Sequence, residues 1–326
     1  MGSMGRERNG KEVGVGENLS MEVLLGEARG FLENAVPENT LRAHESDWRD
    51  FVKWCGRRNL SPLPARPQTI GLYLTARARV HKTSTLRRRL VTIRKVHTAR
   101  GHADPMNELT LRTLWRGIVR TKGERVKKKA ATLTEDIREM VRAQPPTLAG
   151  LRNRALILFG FAGSMRRSEI VALDVEDLEL VEEGFLVLLR RSKTDQTGQG
   201  EFIAIPYGEH VETCPVRTMK EWLSTTRIVE GSIFRKVNRH GRLEGERLGA
   251  STVAFLIKDA VARIGKDPAS FAGHSLRRGL ITSASQAGVS EHVIQKQSRH
   301  KSIKVLREYI DHANLFRENA AKLVGL

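Results

Sequence analysis

Residues 51–130 combine a very high positive charge with the apolar period of helices. This stretch holds 21 Lys and Arg side chains against three Asp and Glu. Its apolar residues recur at three- and four-residue spacing, as at Leu86, Leu90 and Ile93, and this spacing places them on one face of a helix. The segment is therefore predicted to form amphipathic helices with one buried face and a cationic outer surface.

A polyanion is the partner that such a surface favours. The chain of 326 residues has a formal net charge of +19. A block of this charge would repel itself in water, whereas contact with DNA phosphates releases counterions and offsets the repulsion. A membrane surface is the rival partner, but the chain has no run of roughly 18 apolar residues that could span a bilayer. We predict a protein that binds duplex DNA and no membrane.

Two helices are predicted to carry most of the DNA contacts. Either Asn39 or Thr40 can cap the first, and the second covers Thr83–His97. Lys82 precedes the second helix, and two further lysines follow the helical region. The predicted DNA-binding residues are Arg42, Arg49, Lys53, Lys82, Arg87, Arg88, Lys127 and Lys128. An ordinary solvated face is the alternative, and the bases that such residues would read do not follow from the sequence.

Composition shifts along the chain predict two domains. Residues 1–20 are Gly-rich and polar, and we expect a disordered tail that begins with an expression-vector remnant, Met1–Met4. Residues 21–121 form the N-terminal helical domain, 122–131 a basic linker without an apolar period, and 132–326 the second domain.

The second domain is predicted to be mostly helical with a small antiparallel sheet. Thr132 is a plausible N-cap for a helix over Glu135–Arg142. Two β-rich runs, residues 184–190 and 200–206, flank a polar turn with Lys193 near its tip, a pattern typical of a hairpin. The predicted fold class is therefore mainly α, with one all-helical domain and one mixed domain.

The chain lacks the local motifs of the common hydrolases and NTPases. It has no Walker-type glycine loop, no Gly-x-Ser-x-Gly elbow and no metal-binding His/Glu pattern. We therefore predict no cofactor and no metal. The two cysteines, Cys55 and Cys214, cannot form a disulfide framework, and the chain shows no signal-type apolar stretch, so a reducing cytoplasm is the expected location.

Three polar segments of the second domain could act on a phosphodiester without a metal. Such chemistry needs fixed cations, chiefly arginine forks, and a nucleophile of the protein's own. The first segment has Arg166, followed three residues later by Glu169, a carboxylate that can orient its neighbours. The second, His274–Arg277, begins a helix whose N-terminal amide groups favour an anion. The third has His300, with Tyr309 nine residues later.

The order of these groups resembles that of the tyrosine recombinase, or phage integrase, family. An arginine, a lysine on a hairpin, a His-x-x-Arg, a histidine and a tyrosine follow one another, and the likeness spans about residues 21–326. Glu38–Thr40 and Trp54-Cys55 in the helical part add a resemblance to Cre-like single-chain recombinases. The resemblance implies a site-specific enzyme that cleaves and rejoins duplex DNA through a 3′-phosphotyrosyl intermediate and a Holliday junction, without metal or ATP.

The resemblance also implies a role for each group. Arg166 and Arg277 would clamp the non-bridging oxygens of the scissile phosphate, and Tyr309 would be the nucleophile. Because Arg167 and Arg278 directly follow the two clamp arginines, the assignment depends on register. The carboxylate of the first segment, Glu169, would hold an arginine or a histidine in place.

Proton transfer is assigned to three further residues. His274 and His300 would hydrogen-bond the phosphate or assist proton transfer, and His274 is the candidate general base. A free tyrosine has a pKa of about 10, so attack at neutral pH needs such a base or nearby positive charge. Lys193 would be the general acid, although Arg190 and Arg191 are alternatives.

The family likeness further implies an assembly on inverted-repeat DNA. A dimer would bind each site and a tetramer would form in synapsis, with the C-terminal helix, Leu315–Leu326, docking into a neighbouring protomer. The alternative is that this helix packs on its own domain. A type IB topoisomerase, a telomere resolvase and an inactive DNA-binding relative remain alternative functions, and integration, excision and dimer resolution are not distinguished.

Overall fold

The computed structural model describes residues 36–123, 129–190 and 200–314, together with residues 321 and 324. These residues fall into two compact units that divide between residues 126 and 127. Several sequence predictions lie outside the described residues: those for residues 1–20, Lys127, Lys128, Lys193 and most of Leu315–Leu326. Within the described residues, no helix is both long and apolar enough to cross a membrane.

The first unit is built from amphipathic helices. They are α1 (Glu38–Gly56), α2 (Pro67–Ala78), α3 (Thr83–Ala99) and α4 (Leu109–Lys122). Their apolar faces meet in one core, in which Phe51, Tyr73 and Leu86 are fully buried. This is the arrangement that the three- and four-residue spacing predicts.

The start of α1 differs from the prediction. The helix begins at Glu38, so Asn39 and Thr40 lie in its first turn and neither side chain caps it. Pro37 precedes the helix, and its carbonyl accepts the N–H of Thr40 at 2.8 Å. The same carbonyl accepts the N–H of Leu41 at 3.2 Å, so the backbone of Pro37 begins the helix without a side-chain cap.

The second unit contains more helices and two small antiparallel sheets. The helices are α5 (Thr134–Arg142), α6 (Leu148–Ala162), α7 (Arg167–Ala172), α8 (Pro215–Thr226), α9 (Ala250–Arg263), α10 (Ser275–Gln286), α11 (Glu291–Ser298) and α12 (Ile303–Asn314). The strands are β1 (Leu178–Val181), β2 (Gly184–Leu189), β3 (Glu201–Pro206), β4 (Arg235–Val237) and β5 (Leu243–Arg247).

The predicted hairpin is the pair β2–β3. Phe185 lies opposite Ile205 and Val187 opposite Ile203, and all four side chains are buried on the same face of the sheet. Strand β1 adds to the other edge of β2, and β4 pairs with β5 in a separate sheet. Neither β1 nor the β4–β5 pair was predicted, because these strands are short and largely exposed and carry no alternating apolar pattern.

Helix α6 is the centre of the second core. It is buried along most of its length and packs against α5, α8 and α10. Its last turn therefore has a fixed position relative to α10. Because the segment after α6 and the start of α10 hold the candidate site residues, this packing places those residues in one region.

Residues before α5 lie against the first turns of α10. The prediction that Thr132 caps α5 is wrong, because the Thr132 hydroxyl donates to the carbonyl of Ser275 at 3.0 Å. The carboxylate of Asp136 instead accepts the N–H of Leu133 at 3.0 Å. The backbone carbonyl of Thr132 packs directly against α10 at Gly279, where an added Cβ would lie 1.9 Å from the carbonyl oxygen.

A methyl group at position 279 is therefore expected to destabilise the second unit. In Gly279→Ala, backbone atoms of Thr132 must move, and we expect the free energy of unfolding to fall by about 2–3 kcal/mol in urea titrations. Gly117→Ala in α4 is the control, because its added Cβ meets nothing within 4 Å. Removing a helical glycine there is expected to stabilise the first unit by about 0.5–1 kcal/mol. Equal effects of the two substitutions would contradict the close approach at Gly279.

Candidate active site

The first part of the site is the turn that joins α6 to α7. Ser164 lies in this turn with a φ of 48° and is fully buried. Arg166 follows at the N-cap of α7, and its backbone N–H donates to Oε2 of Glu169 at 2.8 Å. Its guanidinium also donates to Glu169. One carboxylate thus fixes both the backbone and the side chain of Arg166.

Glu169 has a second cationic partner, which the sequence analysis did not assign. Nη2 of Arg299 donates to Oε2 of Glu169 at 2.8 Å, and the two side chains are 1% and 2% exposed. Burial alone would raise the pKa of Glu169, but Arg299 and Arg166 lower it below its ordinary value. The carboxylate is therefore ionised at neutral pH. No local pattern around Arg299 could have revealed this contact, since its partner is 130 residues away.

The second part of the site is Arg277 on α10. Its Nη1 donates to the backbone carbonyl of Ser164 at 2.8 Å, while its Nη2 is buried without a hydrogen-bond partner. Burial lowers the pKa of Arg277 to about 9, and the positive charges of Arg166 and Arg299 act in the same direction. The guanidinium remains protonated at neutral pH.

The neighbouring arginines have different environments. Arg167 is exposed, and its side chain packs on Gly273, where an added Cβ would lie 3.0 Å from Cδ of Arg167. Arg278 is half-buried, and its guanidinium lies 5.2 Å from the centre of the Tyr309 ring. Burial lowers the pKa of Arg278, whereas Tyr309 raises it. In the sequence Arg278 is only a register alternative to Arg277, and no local pattern indicates this contact.

His300 and Tyr309 are neighbours in space. Their ring centres are 6.1 Å apart, and Nδ1 of His300 lies 2.7 Å from Oγ of Ser298. Burial lowers the pKa of His300 to about 4, and three arginines add to the effect: Arg277, Arg166 and Arg299. The imidazole is therefore neutral at physiological pH and can both donate and accept a hydrogen bond.

Tyr309 lies on α12, a helix held against the rest of the second unit by an apolar cluster. Leu306 and Ile310 of this helix are buried with Ile281 and Ile294, and Tyr309 packs against the same cluster. The phenol ring is thus anchored on one side by apolar contacts, while Arg278 and His300 lie near it.

Two further predicted site residues are His274 and Lys193. His274 is exposed at the N-cap of α10, three residues before Arg277. Lys193 lies outside the described residues. The structure therefore brings together most of the predicted set and adds two arginines. The residues in contact or electrostatically coupled are Arg166, Glu169, Arg277, Arg278, Arg299, His300 and Tyr309.

Several buried donors of this group have no hydrogen-bond partner among the residues that the structure describes. They are Nη2 of Arg277, Nε and Nη1 of Arg278, and Nε of Arg299. Buried polar atoms in proteins are nearly always hydrogen-bonded, so such a group needs an explanation. Cationic donors in a buried cluster are suited to an oxyanion, because arginine forks match pairs of phosphate or carboxylate oxygens.

The basic residues predicted to contact DNA are exposed where the structure describes them. These are Arg42, Arg49, Lys53, Lys82, Arg87 and Arg88. Two of them also form ion pairs: Arg42 with Glu38 at 2.5 Å, and Arg88 with the buried Asp47 at 2.7 Å. The structure therefore shows that these side chains are accessible, and their DNA contacts stay a prediction.

No metal-binding group was found in the described parts of the chain. His, Cys, Asp and Glu side chains there do not gather in threes or more in a way that could hold an ion. Cys55 and Cys214 are both buried and free. Cys214 accepts the backbone N–H of Gly208 at 3.2 Å, which is a structural contact at the start of α8.

Comparisons with known proteins agree with this fold. The chain matches the sequence profile of the phage integrase family over residues 130–315, and that of the phage integrase N-terminal SAM-like domain over residues 31–101. An integrase/recombinase xerD homolog from Selenomonas ruminantium is 40% identical over 308 residues, which cover 93% of this chain and 89% of that protein.

Two solved structures share the fold. The Tn1549 transposon integrase in complex with a circular intermediate DNA has a TM-score of 0.63 and 15% identity, and the match covers 94% of this chain and 100% of that one. A lambda integrase tetramer bound to a Holliday junction has a TM-score of 0.57 and 18% identity, with 90% of this chain and 78% of that one covered. At these identities the likeness concerns the fold alone.

The helical unit, the mixed α and β unit and the arginine, histidine and tyrosine site define a DNA strand-transferring enzyme. The chain belongs to the phage integrase family, and it is a site-specific tyrosine recombinase that breaks and rejoins DNA. The predicted family, fold class and enzyme class are confirmed, and the topoisomerase, resolvase and inactive alternatives are not favoured. The closer resemblance to Cre-like members stays a prediction.

The lowered pKa of His300 has a consequence for stability. Between pH 6.5, the ordinary histidine value, and about 4, protons bind the unfolded chain more readily than the folded one. Stability should therefore fall as the pH is lowered through this window. We expect the free energy of unfolding of His300→Gln, measured in urea at a series of pH values, to fall less than that of the wild type.

The exposed His240 on the β4–β5 turn provides the control. His240→Gln is expected to retain the wild-type pH dependence. If His300→Gln and the wild type lose stability in parallel between pH 6.5 and 4, the pKa of His300 is not lowered in the folded protein.

Proposed function

We propose that Tyr309 is the nucleophile of this recombinase and that Arg166 and Arg277 bind the scissile phosphate of duplex DNA. The observation that carries the proposal is a group of buried guanidinium nitrogens without a partner among the described residues, on Arg277, Arg278 and Arg299, with the Arg278 guanidinium beside the Tyr309 ring. The chain has three tyrosines. Tyr73 is fully buried in the first unit and donates to Asp50, and Tyr207 lies beside Arg217. Tyr309 alone of the three belongs to the arginine and histidine cluster.

The proposed reaction exchanges one phosphate ester for another. Oη of Tyr309 attacks the phosphorus, and the bond between phosphorus and the 5′ oxygen breaks. A 3′-phosphotyrosyl link and a free 5′ hydroxyl result. Since the link retains the energy of the broken ester, attack by the 5′ hydroxyl of a partner strand rejoins the DNA without ATP. The arginine charges stabilise the additional negative charge that develops on the phosphate oxygens.

Two protons must move in this step. The phenol proton passes to a base, for which His274 is the candidate, and the departing 5′ oxygen receives a proton from Lys193, with Arg190 and Arg191 as alternatives. His300 is neutral at physiological pH, and we propose that one ring nitrogen donates its N–H to the phosphate. Glu169 supports the reaction by holding Arg166.

The proposed substrate is a site with inverted-repeat arms. One protomer would bind each arm, two sites would form a tetramer, and strand exchange would proceed through a Holliday junction. The lambda integrase of similar fold is a tetramer on such a junction. We propose that the segment Leu315–Leu326 links neighbouring protomers and that the enzyme acts on DNA in the cytoplasm, with the helical unit, residues 21–121, and the basic linker, residues 122–131, on the duplex.

Covalent trapping tests the nucleophile directly. The protein is incubated in EDTA with a pool of nicked duplexes that carry a random central segment, and covalent adducts are recovered after denaturation. Loss of the short fragment beside the nick prevents rejoining, so the adduct accumulates. We expect an adduct for the wild type and none for Tyr309→Phe. The recovered DNA is expected to contain an inverted repeat.

Tyr207→Phe is the matched control, because Tyr207 is also an accessible tyrosine with an arginine 5.3 Å from its ring centre. This variant should form the adduct at the wild-type rate. An adduct that persists in Tyr309→Phe, or one that depends on Tyr207, would reject the assignment of the nucleophile.

Salt dependence tests the DNA contacts of α3. If the exposed Arg87 binds a phosphate, Arg87→Ala lowers the affinity for duplexes of any sequence and reduces the slope of log K against log salt by about 1. Arg94→Ala on the same helix is the control, since Arg94 donates to both carboxylate oxygens of Asp104. Its removal should change the slope less. A loss confined to one DNA sequence, with an unchanged slope, would show that Arg87 reads bases.

A further inference from the structure

Arg299 ends α11 in a conformation that arginine rarely adopts. Its φ is 56° and its ψ is 42°, the left-handed region in which helix ends usually have glycine. Its charged side chain is 1% exposed. Backbone strain and burial of a charge both oppose folding, so the contacts of the side chain must offset them.

The guanidinium of Arg299 contacts the turn that carries Arg166. Nη1 donates to the carbonyl of Gly163 at 2.9 Å. Nη2 donates to Oε2 of Glu169 at 2.8 Å and to the carbonyl of Ser164 at 3.2 Å. Both terminal nitrogens of Arg299 are therefore engaged within the protein.

The acceptors of Arg299 are shared with the two clamp arginines. The Ser164 carbonyl also accepts from Arg277, and Oε2 of Glu169 also accepts the N–H of Arg166. On the other side of Arg299, the next residue along the chain is His300. A single buried side chain thus connects α11 and the histidine to the acceptors that orient both arginines.

We propose that Arg299 is a positioning residue of the recombination reaction. It fixes His300 against the turn between α6 and α7, so that the histidine and the two clamp arginines meet at one phosphate. This inference rests on the proposed function for its catalytic consequence. Placing the Arg299 guanidinium between α11 and this turn requires the strained, left-handed backbone conformation.

The substitution Arg299→Gly tests the effect of the side chain separately from that of the backbone conformation. Glycine adopts the same conformation without strain, so the variant removes the guanidinium but keeps the helix end. We expect single-turnover formation of the phosphotyrosyl adduct at saturating DNA to slow by about 100-fold, the order expected for misplaced reacting groups. The duplex used is the one recovered by covalent trapping, and its Kd is expected to stay within about threefold.

Arg227→Gly is the matched control. Arg227 is also an arginine that ends a helix in the left-handed conformation, with φ 53° and ψ 32°, but its side chain is exposed. This variant is expected to form the adduct at the wild-type rate. An Arg299→Gly rate within threefold of the wild type would overturn the proposal.

Two further variants show whether Arg299 acts through Glu169. Lysine keeps the charge but cannot donate as a planar fork, so Arg299→Lys should restore only part of the rate. In Arg299→Gly the carboxylate of Glu169 keeps its partner Arg166, and adding Glu169→Gln completes the double-mutant cycle. The rate losses of the two single changes should not add in the double variant. Strictly additive losses would overturn the proposal.

A titration of His300 tests the positioning role of Arg299 independently of the proposed function. The charged groups that act on this imidazole are Arg277, Arg166 and Arg299. In Arg299→Gly the NMR titration midpoint of His300, identified by its absence in His300→Gln, should rise from about 4 towards 6.5. An unchanged midpoint would overturn the positioning role. A wild type that forms no adduct would instead refute the proposed function, and the titration would still test the contact.

Discussion

The second unit depends on one buried carboxylate among several arginines. Like charges at Arg166, Arg277 and Arg299 repel one another in a region that water barely reaches, as the lowered pKa of Arg277 reflects. Glu169 is the one carboxylate that is hydrogen-bonded to this group among the described residues, and it contacts two of the three arginines. Its charge offsets only part of theirs. Backbone carbonyls stabilise part of the remaining positive charge, because their dipoles can accept from a guanidinium without adding a negative charge.

Those carbonyls are available because of the turn between α6 and α7. The positive φ of Ser164 turns the chain sharply, so the carbonyls of Gly163 and Ser164 serve as acceptors instead of continuing the helix. Helix α6, which is buried in the core, fixes the position of this turn. Packing of apolar side chains thus determines where the arginines can lie. The geometry of the charged site is set by a buried apolar helix.

Sequence reasoning succeeded where the signal is local and periodic. The stripe at Leu86, Leu90 and Ile93 predicts α3, and alternation predicts the β2–β3 hairpin. It failed at Thr132, because the hydroxyl found a partner on α10 that is distant in sequence. It also missed Arg299 and the contact of Arg278 with Tyr309, since both depend on helices that meet only in the folded chain. The candidate residues could be recognised in the sequence by their order, but the groups that hold them in place could not.

The free site is therefore in an electrostatically unfavourable state. Among the described residues its net charge is positive, and guanidinium nitrogens of Arg277, Arg278 and Arg299 are buried there without partners. An oxyanion that enters relieves both penalties, and one with more negative charge relieves them further. A phosphate gains charge on its oxygens as a nucleophile attacks, so a site in this state favours the transition state over the bound substrate. In the proposed function, the stability that the free protein forgoes at these donors becomes differential binding of the reacting phosphate.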